Sequence, residues 1–211
     1  MRSSWFDPYL WIHLAGLAAV PLWLELCFVG LALGEPLFPS ALELGIITAF
    51  GALPILWMQW RAPFYIFSIL VAALPPEQLS DAQRRLLPFF KGVVPRLLAL
   101  AVAVGLVALL WQLDRVVPLA VPAALQWPLP QRRWFGLGMA AIAFLLVNLF
   151  TQVPVSVLRV MLVSERAVTN VAPYPIDKVA QEFTLLGLRV PRLLPRLASA
   201  PAVKADVAET D

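Results

Sequence analysis

The chain is poor in the residues that carry chemistry. It has one cysteine and one histidine among 211 residues. An internal disulfide is therefore excluded, and a metal centre or a nucleophile–base pair has almost nothing to draw on. No G-x-S-x-G elbow, Walker loop, H-E-x-x-H helix, C-x-x-C pair or EF-hand loop occurs. Enzyme is thus the least favoured class. Charge is scarce as well: 14% of the residues are charged, against about 25% in an ordinary soluble domain.

What is present is apolar. Hydrophobic residues make up 61% of the chain, and the mean hydropathy is +0.80. This excludes a disordered or collagen-like chain and makes a soluble globular domain a poor fit. The net charge of +3 does not point to nucleic acid. The basic residues fall mostly in linkers between apolar runs, where anionic lipid headgroups are the nearer partner.

A helix needs about 20 mostly apolar residues to cross a bilayer. Residues 8–34 hold one charge, Glu25, and residues 44–60, 97–113 and 134–158 hold none. These runs predict four spans at about 9–33, 42–60, 95–113 and 134–153. The first is too long for a signal-peptide core and reads as a retained span. Pro54 predicts a kink in span 2. The run 62–76 is cut by Pro63 and Pro75 and is too short to span, so Phe64–Leu74 reads as a short apolar helix that needs burial.

Between spans 2 and 3, Ser80 and Gln83 have capping-box spacing, and Leu79, Ala82, Leu86 and Leu87 share a helical face. This predicts an amphipathic helix on the membrane surface. Residues 116–130 form an apolar loop with four prolines, suited to a protein surface or the interface. After Pro154 the division of Ser156, Arg159 and Arg166 from Val157, Leu158, Met161 and Leu162 predicts either a flat interfacial helix, arginines toward phosphate, or a protein cap over those four residues. Gln59 and Pro63 after span 2 and Gln152 and Pro154 after span 4 give a weak internal repeat, for which chance similarity is a better account than a duplicated hairpin.

Basic residues number eight on the side of the N-terminus and three on the other, which predicts that both termini are cytoplasmic. Trp5, Trp11, Trp57 and Trp60 would mark the inner boundary, and Trp111, Trp127 and Trp134 the outer one.

Within the spans, Glu25 is the sharpest residue. A carboxylate at membrane depth should face protein or water. It is either a proton or cation site or a packing residue bonded to polar groups such as Gln59, Asn148, Thr151 or Gln152. His13 is either a single ligand to a chlorophyll magnesium or haem iron, or a hydrogen-bonded histidine near the headgroups. Cys27 reads as a small buried hydrophobe. Gly16, Gly45, Gly51, Gly136 and Gly138 give the helices small faces for close packing.

The segments WFDPYLWIHLAGLAAVPLWLELC (5–27), ILWMQWRAPFYIFSIL (55–70), FTQVPVSVLRVML (150–162) and PYPIDKVAQEF (173–183) resemble the cyanobacterial low-complexity-tail membrane proteins. The resemblance covers about residues 5–190. It implies a thylakoid or plasma membrane and no defined activity; this chain's own tail is short and only mildly biased.

Together these readings predict an all-α bundle of four spans with short interfacial helices after spans 2 and 4 and before span 3. Residues 1–166 form the membrane domain. Residues 167–211 form an extended docking segment and tail, with Tyr174, Asp177, Phe183, Arg189 and Arg192 as docking residues. The function expected is that of a non-enzymatic accessory or assembly protein of a larger membrane complex, with chlorophyll or lipid as the candidate bound molecule. A small transporter or channel using Glu25 is the alternative.

Overall fold

A computed structural model describes residues 5, 7–69, 71–119 and 132–190. Four helical spans are present, Pro8–Ala32, Ser40–Arg61, Val93–Leu119 and Arg132–Met161, each long and apolar enough to cross a membrane. Most of the proline-rich loop, together with Trp127, Arg192 and the end of the tail, lies outside the described residues.

Span 1 is built of α1 (Pro8–Ala15), a 3-10 turn (Gly16–Ala19) and α2 (Val20–Ala32). The Asp7 side chain caps α1 by accepting from Tyr9 N at 3.0 Å. The 3-10 turn precedes Pro21, which has no N–H to bond back one turn. Span 2 comprises α3 (Ser40–Gly51) and α4 (Leu53–Arg61), broken at Ala52 just before Pro54, where the kink was expected.

A short helix α5 (Asp81–Leu86) and α6 (Val93–Val116, the body of span 3) follow. Span 4 is α7 (Arg132–Met161), 30 residues long. At 1.5 Å per residue it measures about 45 Å and overruns a hydrocarbon core of about 30 Å.

Span 4 is the axis of the bundle. Over its most apolar window 56% of residues are buried, against 17%, 33% and 28% for spans 1 to 3. Cys27, Leu31, Leu44, Ile47, Leu106, Leu110, Ala140, Phe144 and Val147 fill the space between the four. Span 1 meets span 4 backbone to backbone. A Cβ on Gly136 would stand 2.5 Å from Gly30 O, and one on Gly30 would stand 2.7 Å from Gly136 O. Only glycine allows that approach. Gly16 and Gly51 also pack closely, whereas Gly45 and Gly138 face open space.

On the side of the N-terminus a second core forms outside the spans. Tyr9 and Leu10 pack with Tyr65, Ile66 and Phe67, with Leu79, Leu86, Leu87 and Phe90, with Val157, Val160 and Met161, and with Val168, Val179 and Phe183. This cap corrects three expectations. The segment after span 2 is not a helix: β1 (Ser68–Ile69) and β2 (Ala72–Ala73) form an antiparallel hairpin. Its aromatic and β-branched residues suit extended chain. The chain after Pro154 does not lie flat, since α7 continues unbroken to Met161. Thr151 and Ser156, on either side of the proline, donate their hydroxyls one turn back, to Val147 O and Gln152 O. The two hairpins therefore end differently, and the fold does not express the repeat.

The third correction concerns residues 168–190, which do not extend away. They form α8 (Glu165–Asn170), α9 (Ile176–Glu182) and β3 (Leu188–Arg189). Strand β3 pairs in parallel with β2, Ala72 opposite Leu188. Gly187, at φ +97°, lets the backbone pass against Val71 and Ala72.

The capping box forms as expected: Gln83 N donates to Ser80 Oγ at 3.2 Å and Ser80 N to Gln83 Oε1 at 3.1 Å. Yet Leu79, Leu86 and Leu87 are buried in protein, so α5 belongs to the cap rather than to a lipid surface. The cap covers Val157 and Met161, while Leu158 (47% exposed) and Leu162 (64%) stay open. Arg159 turns to the cap as well, donating to Phe89 O at 2.5 Å.

The glycine contact yields a test. Gly136→Ala should destabilise the protein in mixed micelles by ~1–3 kcal/mol through overpacking. Gly138→Ala, which meets nothing within 4 Å, should be neutral. Equal melting of both variants would refute the close-approach argument.

Candidate functional site

Four polar groupings stand out, and they differ in what they face. The first closes the bundle on the side away from the cap. Glu43, in the first turn of α3, and Arg133, at the start of α7, form a salt bridge with side chains 1% and 8% exposed. Arg133 also donates to Leu31 O at 2.6 Å. Glu43 accepts from the backbone N–H groups of Leu37 at 2.9 Å and Phe38 at 3.3 Å. One ion pair thus joins spans 1, 2 and 4 and the loop between the first two. Counting charge-poor runs missed it, because that method uses charges to end spans and never asks which ends meet.

The second grouping runs along span 4. Asn148 Nδ2 donates to Phe144 O at 2.9 Å, and Gln152 Nε2 to Asn148 Oδ1 at 3.1 Å. These bonds serve the helix's own turns. Gln59 Nε2 and Gln152 Oε1 are buried with no partner among the described residues.

Neither group reaches Glu25. Gly30 packs on Gly136 and Ala140, and Glu25 lies five residues further from that end, close to the level of Ile142. Gln152 is ten residues further along the helix, about 15 Å away. Glu25 itself is exposed on the outside of span 1. The pairing of Glu25 with Gln59, Asn148, Thr151 or Gln152 considered from the sequence is not what the fold brings together.

The third grouping is around His13. Its Nε2 lies 2.7 Å from Ile66 O, and its ring packs edge-on against Phe64. The imidazole thereby pins the hairpin to span 1. A neutral ring donating from Nε2 keeps a lone pair only at Nδ1. Beside it is a cavity of about 240 Å³, lined by Ile12, Gly16, Phe64, Leu149, Phe150 and Pro154 among others. Cofactor pockets run to roughly 300–1,000 Å³. The space is smaller than that range, and its lining is mostly apolar.

The last grouping clasps the tail to the cap. Lys91 Nζ pairs with Glu182 and meets Tyr174 Oη at 3.1 Å, and the Tyr174 hydroxyl donates to Glu182. Burial works to lower the Lys91 pKa, but its bonds with Glu182 and Tyr174 prevail and raise it. The bond from Lys91, then that from Tyr174, holds the Glu182 carboxyl below its usual range. Arg85 donates to Thr169 O and Val171 O, each at 2.6 Å.

Of the docking residues expected in this segment, Phe183 is buried in the cap core and Tyr174 is tied into the clasp. Asp177 and Arg189 are exposed. Among the described residues no group of His, Cys, Asp and Glu is placed to hold a metal ion.

A family model for low-complexity tail membrane protein-like chains matches residues 6–195. No curated protein and no solved structure matches.

The ion pair gives a direct test. Glu43→Leu and Arg133→Met, made singly, should each cost about 3–5 kcal/mol by stranding a buried charge. Made together they should cost clearly less than the sum. Strict additivity in unfolding experiments would show that the pair is not coupled.

Proposed function

This chain belongs to the low-complexity tail membrane protein-like family, and we propose that it is a non-enzymatic accessory or assembly protein of a larger membrane complex. The observation that carries this reading is where the chain spends its interior. The described part of the bundle is filled by packed apolar side chains. Asn148, Thr151, Gln152 and Ser156 bond within their own helix. The outside offers an outward carboxylate on span 1 and exposed Trp57, Trp60, Trp111 and Trp134 near the span ends.

The resemblance in the sequence favours a thylakoid or plasma membrane of a cyanobacterium. The basic bias of the cap side favours placing the cap and both termini in the cytoplasm. Lipid is the bound small molecule that fits, at the cleft beside His13. Photosynthetic complexes are the first assemblies in which to look for the partner. The transport alternative would need Glu25 to line a path formed between copies.

Mild-detergent extraction of the tagged chain from its source membrane tests the proposal. It should migrate well above its own oligomers, with a fixed set of partner chains at constant stoichiometry. A discrete homo-oligomer that conducts ions or protons after reconstitution would overturn it in favour of transport.

A further inference from the structure

Glu25 has an unusual position. It is exposed on the outer face of span 1, on a stripe with Trp11, Ala15, Ala18 and Leu22 at helical spacing. It makes no hydrogen bond or ion pair among the described residues.

Its depth follows from span 4. Gly30 packs on Gly136 and Ala140, and Glu25 lies five residues further from that end, level with about Ile142, nine residues beyond Arg133. At 1.5 Å per residue the carboxylate lies about 14 Å below the Glu43–Arg133 pair that closes the bundle. A hydrocarbon core is about 30 Å thick, so Glu25 is deep within it. Lysine and arginine reach out of the hydrocarbon on long stems; glutamate has two methylenes and does not.

We propose that Glu25 and the stripe around it dock one transmembrane helix of another protein, which carries a lysine or arginine at mid-membrane depth. This rests on the accessory reading and names the partner's chemistry.

A lysine or arginine opposite Glu25 supplies hydrogen-bond donors to the carboxylate and leaves the pair without net charge in lipid. A second copy of this chain fits worse, because a two-fold contact along span 1 sets two carboxyls together and brings no cation. The chain's own cations do not fit either. Arg133 is spent on Glu43, and residues 120–131 hold no basic residue. The alanines at 15 and 18 let a neighbouring backbone come close two to three turns from the charge.

The test uses the full chain in phosphatidylcholine vesicles and a synthetic Leu/Ala helix of about 24 residues, bearing one lysine at its centre. Energy transfer between labels on the two reads association. The lysine helix should bind the unmodified chain about tenfold more tightly than Glu25→Leu. Glu25→Gln should fall between, and a helix with leucine in place of lysine should not discriminate. Glu25 is exposed, so both variants should keep the parent's proteolysis pattern.

Equal binding of the lysine helix to the parent and Glu25→Leu overturns the proposal. So does a dimer of the chain itself that weakens with Glu25→Leu. In source membranes the two readings separate. A Glu25→Leu chain that still joins the large assembly defeats the docking site and leaves the accessory role. A parent chain that migrates alone, yet binds the lysine helix through Glu25, does the reverse.

Discussion

A polar group in hydrocarbon has no water to bond, and that constraint orders this molecule. Span 4 shows how it is met. Its asparagine, glutamine, threonine and serine are turned along the helix onto its own carbonyls and neighbours. Pro154 stands within a continuous helix, where it removes only its own bond back to Phe150 O. Span 2 instead breaks at Ala52, just before Pro54. The buried charges among the described residues, Glu43 and Arg133, neutralise each other where three segments converge.

The cap obeys the same rule from the other direction. Helix α7 is too long for the membrane, and its end would expose Val157, Val160 and Met161 to water. The hairpin, α5 and the returning tail cover them. Backbone pairing does much of this work. Thr184 N donates to Pro63 O, Tyr65 N to Thr184 O, and Leu188 N to Val71 O. The segment after span 4 thus completes the sheet that the segment after span 2 begins. Side-chain bonds from Arg85, Lys91 and Arg159 reinforce the closure.

The spans were legible in the sequence because their signal is local: long apolar runs with charges only at the ends. The break at Pro54 and the capping box at Ser80 are local too. What the sequence hid is what joins distant segments. The cap needs residues 65, 87, 160 and 183 together, and no window shows that. The tail's short elements pass for extended chain until β2 supplies a partner. Glu43 and Arg133 are separated by two spans. Glu25 was visible as a charge in an apolar run, but whether it faced inward or outward depended on which stripe of span 1 packs on span 4. The Gly30–Gly136 contact decides that, and it turns the carboxylate out.

The central claim is that span 1 presents the Glu25 stripe to the membrane rather than to the bundle's interior. A nitroxide at Leu22→Cys, with Cys27→Ala, tests this most directly, because Leu22 lies one turn from Glu25 and is 66% exposed. In the purified chain in bilayers, oxygen should broaden its spectrum strongly and a water-soluble nickel complex only weakly. In the assembled complex the oxygen effect should fall. Shielding from oxygen in the purified chain, or ready access for the nickel complex, would contradict the account.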